Sequence, residues 1–416
     1  MLSIHNASSP IPPSGKSKTG LAIAGGGPVG AIYELGALQA LDESIDGLSL
    51  HELEIYVGVS AGAFLAASLA NGISAAELCR IFMGAEHASL RFEPERFLRP
   101  AWREYIERAV SVPGILTRSL MRIIKQRSDP GLSQLIGDLG QAIPSGVFDN
   151  ETIHRYLAES FSATGHGNEF DDLDCELYVV AVDLDSGAAV RFGSENQRHV
   201  SISRAVQASA ALPGLYPPVE IDGHHYVDGA LRRTLHASAA LDAGADLLLA
   251  VNPLVPYSAN HRNENGTGKA RQLIGGGLPL ILSQTFRAMI QSRMNVAFQK
   301  YRSSHPDADL VLLEPDPWDE EIFFPNIFSY ASRNALSEHA YQVTRRDLLN
   351  KAELLEPILA ERGLRLRKER LKDESRTLRR SIGCEPAHHS DIARSLSCTL
   401  EALQEQLAHA NHGDRK

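Results

Sequence analysis

Three short segments of the chain carry residue types that together could perform acyl transfer. They are residues 25–30 (Gly-Gly-Gly-Pro-Val-Gly), residues 58–62 (Gly-Val-Ser-Ala-Gly) and residues 228–230 (Asp-Gly-Ala). The second segment offers a serine nucleophile, the third a carboxylate base, and the first a run of backbone amides that could hold an anion. Whether this chemistry is available depends on the elements that position the three segments.

Ser60 lies where a predicted strand meets a predicted helix. Residues 54–57 are rich in β-forming side chains, and residues 61–70 are rich in Ala and Leu. A G-x-S-x-G sequence at such a junction is typical of a nucleophile elbow, in which Gly58 and Gly62 relieve crowding around the serine. The helix N-terminus adds N–H groups and a partial positive charge for a developing oxyanion. A chance match in a Gly- and Ala-rich chain is the alternative, and the strand–turn–helix context disfavours it.

The glycine-rich segment at residues 25–30 has two candidate uses. Residues 21–24 form an apolar strand and residues 31–41 have helical apolar spacing, so a dinucleotide-binding fingerprint is one candidate. That fingerprint requires an acidic residue at the end of the second strand, where this chain has Ser60. Pro28 also interrupts the turn that would wrap a pyrophosphate. An oxyanion hole is therefore the favoured use.

Pro28 has no N–H group, so it cannot donate a hydrogen bond in this predicted hole. Gly26 and Gly27 are the predicted donors, with help from Ala61 just after the nucleophile. The complete predicted oxyanion hole is Gly25, Gly26, Gly27, Gly30 and Ala61.

Asp228 ends a short predicted strand, and Gly229 and Ala230 follow it. An ordinary Asp-Gly turn is the alternative interpretation. Upstream, residues 203–218 predict a helix of small residues that is stopped by Pro213 and followed by a proline-stiffened loop.

The three motifs, together with the segment Ala-Ser-Ala-Ala-Leu-Pro-Gly-Leu-Tyr-Pro-Pro before the aspartate, resemble the patatin-like phospholipase family of serine acyl hydrolases. The similarity runs over residues 19–252. The resemblance implies a three-layer α/β/α domain with a mostly parallel central sheet, in which Ser60 is the nucleophile and Asp228 the proton acceptor of a catalytic dyad. The family usually has a basic residue where this chain has Val29, which leaves the loop geometry and the preferred head group open.

A triad with histidine is the alternative to the dyad. A carboxylate at its usual pKa is a weak base toward a hydroxyl, so burial that raises the pKa of Asp228 would help. In α/β-hydrolases the histidine follows the acid in the chain. That order nominates His236, His261, His305 and His339. His224 and His225 are near Asp228 but lie on opposite faces of a strand, so at most one of them can face the site.

Length and composition indicate a globular protein with one large α/β unit. The chain has 416 residues, 43% of them hydrophobic, and a net charge of −10, which argues against nucleic-acid binding. The predicted organisation is a flexible leader over residues 1–18, a catalytic domain over residues 19–320 with a mostly helical insertion at about residues 86–172, and a helical C-terminal extension over residues 321–416.

Composition also bears on cofactors and compartment. The four cysteines show no paired spacing, which fits neither a disulfide framework nor a zinc site. No metal or organic cofactor is expected. No signal peptide and no run of about 18 apolar residues is present, so a cytoplasmic location is expected.

Two basic segments are candidates for peripheral membrane contact. Residues 102–127 combine apolar helical stripes with basic side chains, and packing on the protein itself is the favoured alternative. Residues 362–380 contain nine Lys or Arg and three Asp or Glu, and a solvated helix is the favoured alternative. A third amphipathic helix, over residues 282–301, is predicted to cover one face of the sheet, with an acyl-chain groove as the alternative.

The expected function is hydrolysis of a lipid or lysolipid ester, of the phospholipase A, lysophospholipase or carboxylesterase type. Acyl transfer by the same dyad to an acceptor other than water is one alternative. A catalytically vestigial protein that binds a membrane or a partner is another. The sequence predicts no oligomeric state.

Overall fold

The computed structural model describes residues 1–5, 17–84, 99–101, 144–163, 167–258, 277–323 and 330–384, with the single residues 105, 275 and 399. The strands of these residues are β1 (Leu2–His5), β2 (Thr19–Ile23), β3 (Ile45–Asp46), β4 (Ile55–Val59), β5 (Glu176–Asp183), β6 (Ala189–Phe192), β7 (Val219–Ile221), β8 (His224–Asp228), β9 (Leu247–Val251), β10 (Asp309–Leu313) and β11 (Arg365–Leu366).

The helices of the same residues are α1 (Gly27–Ser44), α2 (Ala61–Ala70), α3 (Ala75–Phe82), α4 (Glu151–Ala163), α5 (Ile202–Ser209), α6 (Ala237–Asp242), α7 (Gly277–Ser304), α8 (Glu320–Phe323), α9 (Tyr330–Asn350), α10 (Ala352–Ala360), α11 (Lys368–Lys372) and α12 (Leu378–Ser381). Helix α1 begins earlier than the sequence pattern predicts, because Pro28 occupies the first turn, where a missing N–H group costs nothing.

The described strands form one mixed sheet and one small sheet. The mixed sheet has nine strands in the order β1-β10-β9-β2-β4-β5-β8-β7, with β6 also paired to β5. Its central strands β10, β9, β2, β4 and β5 run parallel to their neighbours. Strands β1, β6 and β8 join them in antiparallel fashion. The prediction of an α/β fold with a mostly parallel central sheet is confirmed.

Helices cover both faces of this sheet. Along β2, Leu21 and Ile23 belong to the larger hydrophobic core, which also contains residues of α1, α2, α5 and α9. The alternating Ala22, with Ala24 beyond the strand, belongs to a second core formed with α6 and α7. Because successive residues of a strand point to opposite faces, a strand buried on both sides is apolar throughout. The result is the expected arrangement of helix, sheet and helix layers.

Helix α9, in the predicted C-terminal extension, packs closely on α1. A Cβ atom at Gly36 would lie 2.2 Å from the carbonyl oxygen of Ser337, so the two backbones approach too closely for a side chain. The hydroxyl of Ser337 donates to the carbonyl of Ile32 at 3.0 Å. This part of the extension therefore contributes to the larger core, while the domain boundaries themselves stay a prediction.

The predicted flexible leader is wrong for residues 2–5. These residues form β1, which pairs with β10 along the edge of the sheet. Leu2 is buried in the larger core, and this long-range pairing supplies the hydrogen bonds of the strand. Four residues carry too short a pattern for the strand to be predicted from the sequence alone.

The basic segment 362–380 is not a single solvated helix. It contains β11, α11 and α12, and five of its cations contact acidic side chains outside the segment: Arg362, Arg365, Arg367, Lys368 and Arg376. The buried Arg362 contacts Asp246 at 3.1 Å and Asp309 at 2.9 Å, and Arg376 contacts Glu43 at 2.7 Å. These ion pairs fix the segment to the protein. The other predicted membrane contact, residues 102–127, lies outside the described residues except for Tyr105.

Among the described helices, none combines the length and the apolarity that crossing a lipid bilayer requires.

Candidate active site

The sheet brings the predicted nucleophile and base to the same edge. Ser60 directly follows β4, whose last residue Val59 is paired with Val180 of the neighbouring β5. The next residue of β5, Ala181, is paired with Asp228 at the end of β8. Residues 168 positions apart in the sequence therefore meet at the carboxyl ends of the parallel strands, where α/β sheets commonly bind ligands.

Ser60 and Asp228 are in direct contact. The Ser60 hydroxyl donates a hydrogen bond to Oδ2 of Asp228, with an oxygen–oxygen distance of 2.6 Å. The other carboxylate oxygen, Oδ1, accepts from the amide of Ala230 at 2.8 Å. Ser60 is 7% exposed and Asp228 is 2% exposed, so the pair is almost closed off from bulk water.

Burial makes Asp228 a stronger base than an ordinary aspartate. Loss of solvation raises the pKa of its carboxyl group to about 6, although the hydrogen bonds from Ser60 and Ala230 act in the opposite direction. Near neutral pH the group is ionised and can accept a proton, and its basicity is closer to the working pH than that of a solvated carboxylate.

The backbone of Ser60 is held in a strained conformation. Its φ of 53° lies in the region that favours glycine, and its ψ is −125°. Its flanks are tightly packed: a Cβ atom at Gly62 would lie 2.3 Å from the carbonyl oxygen of Ala24, and one at Gly58 would lie 2.4 Å from Cα of Ala63. Such a turn projects the serine hydroxyl from the end of β4, as the nucleophile elbow requires.

Ser209 holds this strained turn in place. Its hydroxyl oxygen accepts a hydrogen bond from the Ser60 amide at 2.8 Å, and the same hydroxyl donates to the carbonyl of Val180 at 2.6 Å. The side chain is fully buried at the end of α5. Ser209 thus links the predicted nucleophile to the strand that also positions the predicted base.

Replacing Ser209 by alanine is expected to lower the free energy of unfolding by about 1–3 kcal/mol, because a buried amide and a buried carbonyl lose their partner. Ester turnover should fall about tenfold or more, because small displacements of a nucleophile are costly. Urea denaturation and kcat measure the two effects. Ser201→Ala is the matched control, since Ser201 begins the same helix without a side-chain capping bond. Equal behaviour of the two variants would contradict this role.

The glycine loop presents amides beside the serine. The amide of Gly25 donates to the carbonyl of Thr234 at 3.2 Å, and that of Gly30 donates to Gly26 at 3.0 Å, so neither is available to a ligand. Within the described part of the chain, the amides of Gly26, Gly27 and Ala61 have no acceptor. These three amides are the predicted donors. The amides of Gly25 and Gly30, the other two residues of the predicted hole, are already bonded within the protein.

A comparison with protein-family models assigns the chain to a family. A family model described as patatin-like phospholipase matches residues 21–241, more than half of the 416 residues. The chain belongs to the patatin-like phospholipase family. This is a family of serine hydrolases that act on lipids, and the resemblance inferred from the motifs is confirmed.

Solved structures that are similar to this chain include VipD and ExoU. VipD from Legionella pneumophila is 16% identical over 80% of this chain and 66% of its own, with a TM-score of 0.35. The type III effector ExoU is 19% identical over 90% and 69%, with a TM-score of 0.29. The ExoU–SpcU complex from Pseudomonas aeruginosa is 16% identical over 82% and 61%, with a TM-score of 0.25. The chain thus spans slightly less than two thirds of the length of VipD.

Pro253 forms one wall of the patatin-like site. It follows β9, and its ring lies so close to the loop that a Cβ atom at Gly26 would be 2.5 Å from it and one at Gly30 would be 2.8 Å from it. The guanidinium of Arg287 donates to the carbonyl of Pro253 at 3.4 Å and lies 5.2 Å from the centre of the Phe323 ring. Burial lowers the pKa of Arg287 to about 10, so the side chain is cationic at neutral pH.

Among the described residues, the histidines nominated for a triad form no hydrogen bond with Ser60 or Asp228. His236 is buried beside the carbonyl of Gly229, and burial lowers its pKa to about 3. His305 faces Asp242 at 3.4 Å, and His339 binds Asp319 at 2.6 Å. His261 lies outside the described residues.

The two histidines of β8 point elsewhere. His224 and His225 are both exposed, and their ring nitrogens lie 3.7 Å from Asp183 and 3.6 Å from Asp185, respectively. Among the described residues, Asp183, Asp185 and His224 form a group that could hold a metal ion. The Asp183 carboxylate already accepts hydrogen bonds from the Asp185 amide and the Ser186 hydroxyl, which close the turn after β5.

Proposed function

We propose that this patatin-like protein hydrolyses carboxylic esters of lipids with a catalytic dyad of Ser60 and Asp228. The observation that carries the proposal is the 2.6 Å hydrogen bond from the serine hydroxyl to a buried carboxylate whose pKa is raised to about 6. A nucleophile in contact with a base is the general pattern of covalent acyl transfer.

In the first half of the reaction, Oγ of Ser60 attacks the ester carbonyl while Asp228 accepts the hydroxyl proton. Negative charge develops on the carbonyl oxygen, and the amides of Gly26, Gly27 and Ala61 donate hydrogen bonds to it. The tetrahedral intermediate collapses by breaking the bond to the alcohol, which takes the proton from Asp228. The acyl group is then esterified to Ser60.

In the second half, water attacks the acyl-serine and gives a proton to Asp228. The second tetrahedral intermediate releases the fatty acid, and the proton on Asp228 returns to Oγ of Ser60. Near neutral pH the carboxyl group can exchange its proton in both directions, because its raised pKa of about 6 lies close to the pH. The scheme uses no metal ion and no organic cofactor.

Membership of the family supports a lipid ester as the substrate. The residue at position 29 of the glycine loop could influence which head group is preferred. Val29 replaces the usual basic residue and packs against the larger core. Arg287 lies on the other side of the loop, behind Pro253, where its guanidinium donates to the carbonyls of Pro253 and Val255. The loop itself therefore carries no cationic side chain for a head group.

The test is turnover of a panel of phospholipid, lysophospholipid and neutral esters by the purified protein, with products identified by mass spectrometry. Release of free fatty acid that requires Ser60 supports hydrolysis. Transfer of the acyl group to an added alcohol with little free acid would favour acyl transfer instead, and no turnover of any ester would contradict the proposal.

Changing His236, His305 and His339 one at a time to asparagine is expected to leave kcat within about tenfold of the unchanged protein, because the dyad needs no third group to carry the proton. His261→Asn belongs in the same series because the alternative triad includes it. A loss of about a thousandfold or more at any one position, with the circular dichroism spectrum retained, would establish a triad in place of the dyad.

A further inference from the structure

Helix α7 carries apolar residues on two sides, and only one side packs on the protein. Its inner side contributes Met294 and Phe298 to the second core. On its outer side, Phe286 and Met289 are each 48% exposed and Val296 is 66% exposed. The predicted role of covering the sheet therefore accounts for the inner side only.

The exposed side chains form a continuous row, which we call the outer stripe. Its members recur at intervals of four and three residues, which places them on one face of an α-helix. At 1.5 Å per residue the row is about 27 Å long. The outer stripe consists of Leu282, Phe286, Met289, Arg293, Val296 and Lys300.

The charge of this helix is opposite to that of the whole chain. Helix α7 contains four basic residues and no acidic residue, whereas the chain has a net charge of −10. Arg293 and Lys300 lie within the outer stripe and are exposed. Arg232 and Arg233, in the neighbouring turn, are exposed as well. A row of apolar side chains with cations in and beside it is complementary to a lipid surface, whose acyl chains are apolar and whose head groups can be anionic.

The same helix touches both walls of the candidate site. On the inner side, Arg287 donates to the carbonyl of Pro253, which lies against the glycine loop. Arg293, within the outer stripe, donates to the carbonyls of Leu231 at 3.2 Å and Arg232 at 3.3 Å, in the turn that follows the catalytic aspartate. The outer stripe is thus anchored beside the turn that follows Asp228, and the inner side of the same helix is anchored beside the glycine loop.

We propose that the outer stripe of α7 binds the surface of a lipid aggregate with anionic head groups. The apolar side chains insert at the boundary between head groups and acyl chains, and Arg293 and Lys300 bind the head groups. The inference rests on the proposed function, because a lipid-ester hydrolase finds its substrate at such a surface. Binding through α7 places the nucleophile beside the surface that contains the ester bonds.

The test measures vesicle binding separately from catalysis. Flotation with vesicles of phosphatidylcholine alone, and of phosphatidylcholine mixed with phosphatidylglycerol, is carried out in a Ser60→Ala background. The double change Phe286→Ser and Met289→Ser is expected to lower the partition coefficient about tenfold or more, because two apolar anchors are lost. Lys300→Glu should reduce binding to the anionic vesicles more than to the neutral ones. Leu354→Ser is the matched control, since this leucine of α10 is 52% exposed.

Three outcomes would overturn the proposal. The first is that the double variant binds vesicles as well as the control does, and the second is that the parent protein binds no vesicles. The third is that the parent protein is a dimer and the double variant a monomer, which would assign the outer stripe to contact with a second copy of the chain. If the parent protein hydrolyses esters but its vesicle binding does not depend on the outer stripe, this inference is rejected and the proposed function stands. If vesicle binding depends on the outer stripe but no ester is hydrolysed, the proposed function is rejected and this inference stands.

Discussion

Ser60→Ala is expected to lower kcat/KM for lipid-ester hydrolysis by at least about a thousandfold, because no acyl-enzyme can form without the hydroxyl. The fold should persist, since the change removes only the hydroxyl that donates to Asp228. Turnover of a phospholipid ester and the thermal midpoint are the two measurements. Retained activity in this variant would place the nucleophile elsewhere.

Two further variants show that the loss is chemical rather than structural. Ser68→Ala is the matched control, because Ser68 is a buried serine of the adjacent helix α2 whose hydroxyl donates to the carbonyl of Phe64. It should keep its activity. Ser60→Gly should be as inactive as Ser60→Ala but more stable by about 1 kcal/mol, since glycine adopts a positive φ without strain.

Asp228→Asn is the second large effect, and it separates activity from stability. Turnover should fall at least about a thousandfold, because an amide cannot take the serine proton near neutral pH. In the unchanged protein, kcat/KM should fall about tenfold per pH unit below the pKa of about 6, where Asp228 becomes protonated. A pH profile that is flat between pH 5 and pH 7 would contradict the assignment.

The sign of the stability effect follows from the direction of the pKa shift. The pKa of Asp228 is raised in the folded state, from 3.8 to about 6. Folding therefore favours the protonated form, and that stabilisation is present below about pH 4 and lost as the pH rises through 6. At pH 8 the folded protein is destabilised by a buried negative charge, and replacement by the neutral asparagine removes that charge.

Asp228→Asn is accordingly expected to raise the free energy of unfolding at pH 8 by about 1–3 kcal/mol, and the rise of the carboxyl pKa from 3.8 to about 6 sets the upper end of this range. Near pH 4 the difference should vanish. Denaturant unfolding at the two pH values measures this. Asp222→Asn is a control, since Asp222 is an exposed aspartate that pairs with His199 on the surface. If Asp228→Asn is less stable than the unchanged protein at pH 8, burial of the carboxylate does not destabilise the folded state.

The parts of the fold that local patterns encode could be predicted from the sequence. Strand–glycine–helix junctions are local, so the elements around Ser60 and the glycine loop were predictable, and the strands of the parallel sheet are continuous apolar runs. Strand β1 was not predictable, because its pairing partner lies more than 300 residues away. The ion pairs of Arg362 and Arg376 could not be predicted either, because their acidic partners are also distant in the sequence, and the basic count alone suggested a solvated segment.

The same division holds for the candidate site. The resemblance to the patatin-like phospholipase family implied that Ser60 and Asp228 would meet, and the missing N–H group of Pro28 predicted which amides would remain available. Ser209 lies in the small-residue segment before the aspartate, where its hydroxyl was the only signal. Pro253 follows a parallel strand at the carboxyl edge of the sheet, a position that could have nominated it. Arg287 depends wholly on how α7 packs, and the sequence carries no local signal for it.

The most direct test of the dyad is the rate at which a fluorophosphonate probe labels the protein, with the modified residue identified by peptide mass spectrometry. We predict labelling at Ser60, slowing as the pH falls below about 6, at least about a hundredfold slower in Asp228→Asn and absent in Ser60→Ala. Labelling of Ser60 at an unchanged rate in Asp228→Asn, or no labelling of the folded protein at Ser60, would contradict the central claim.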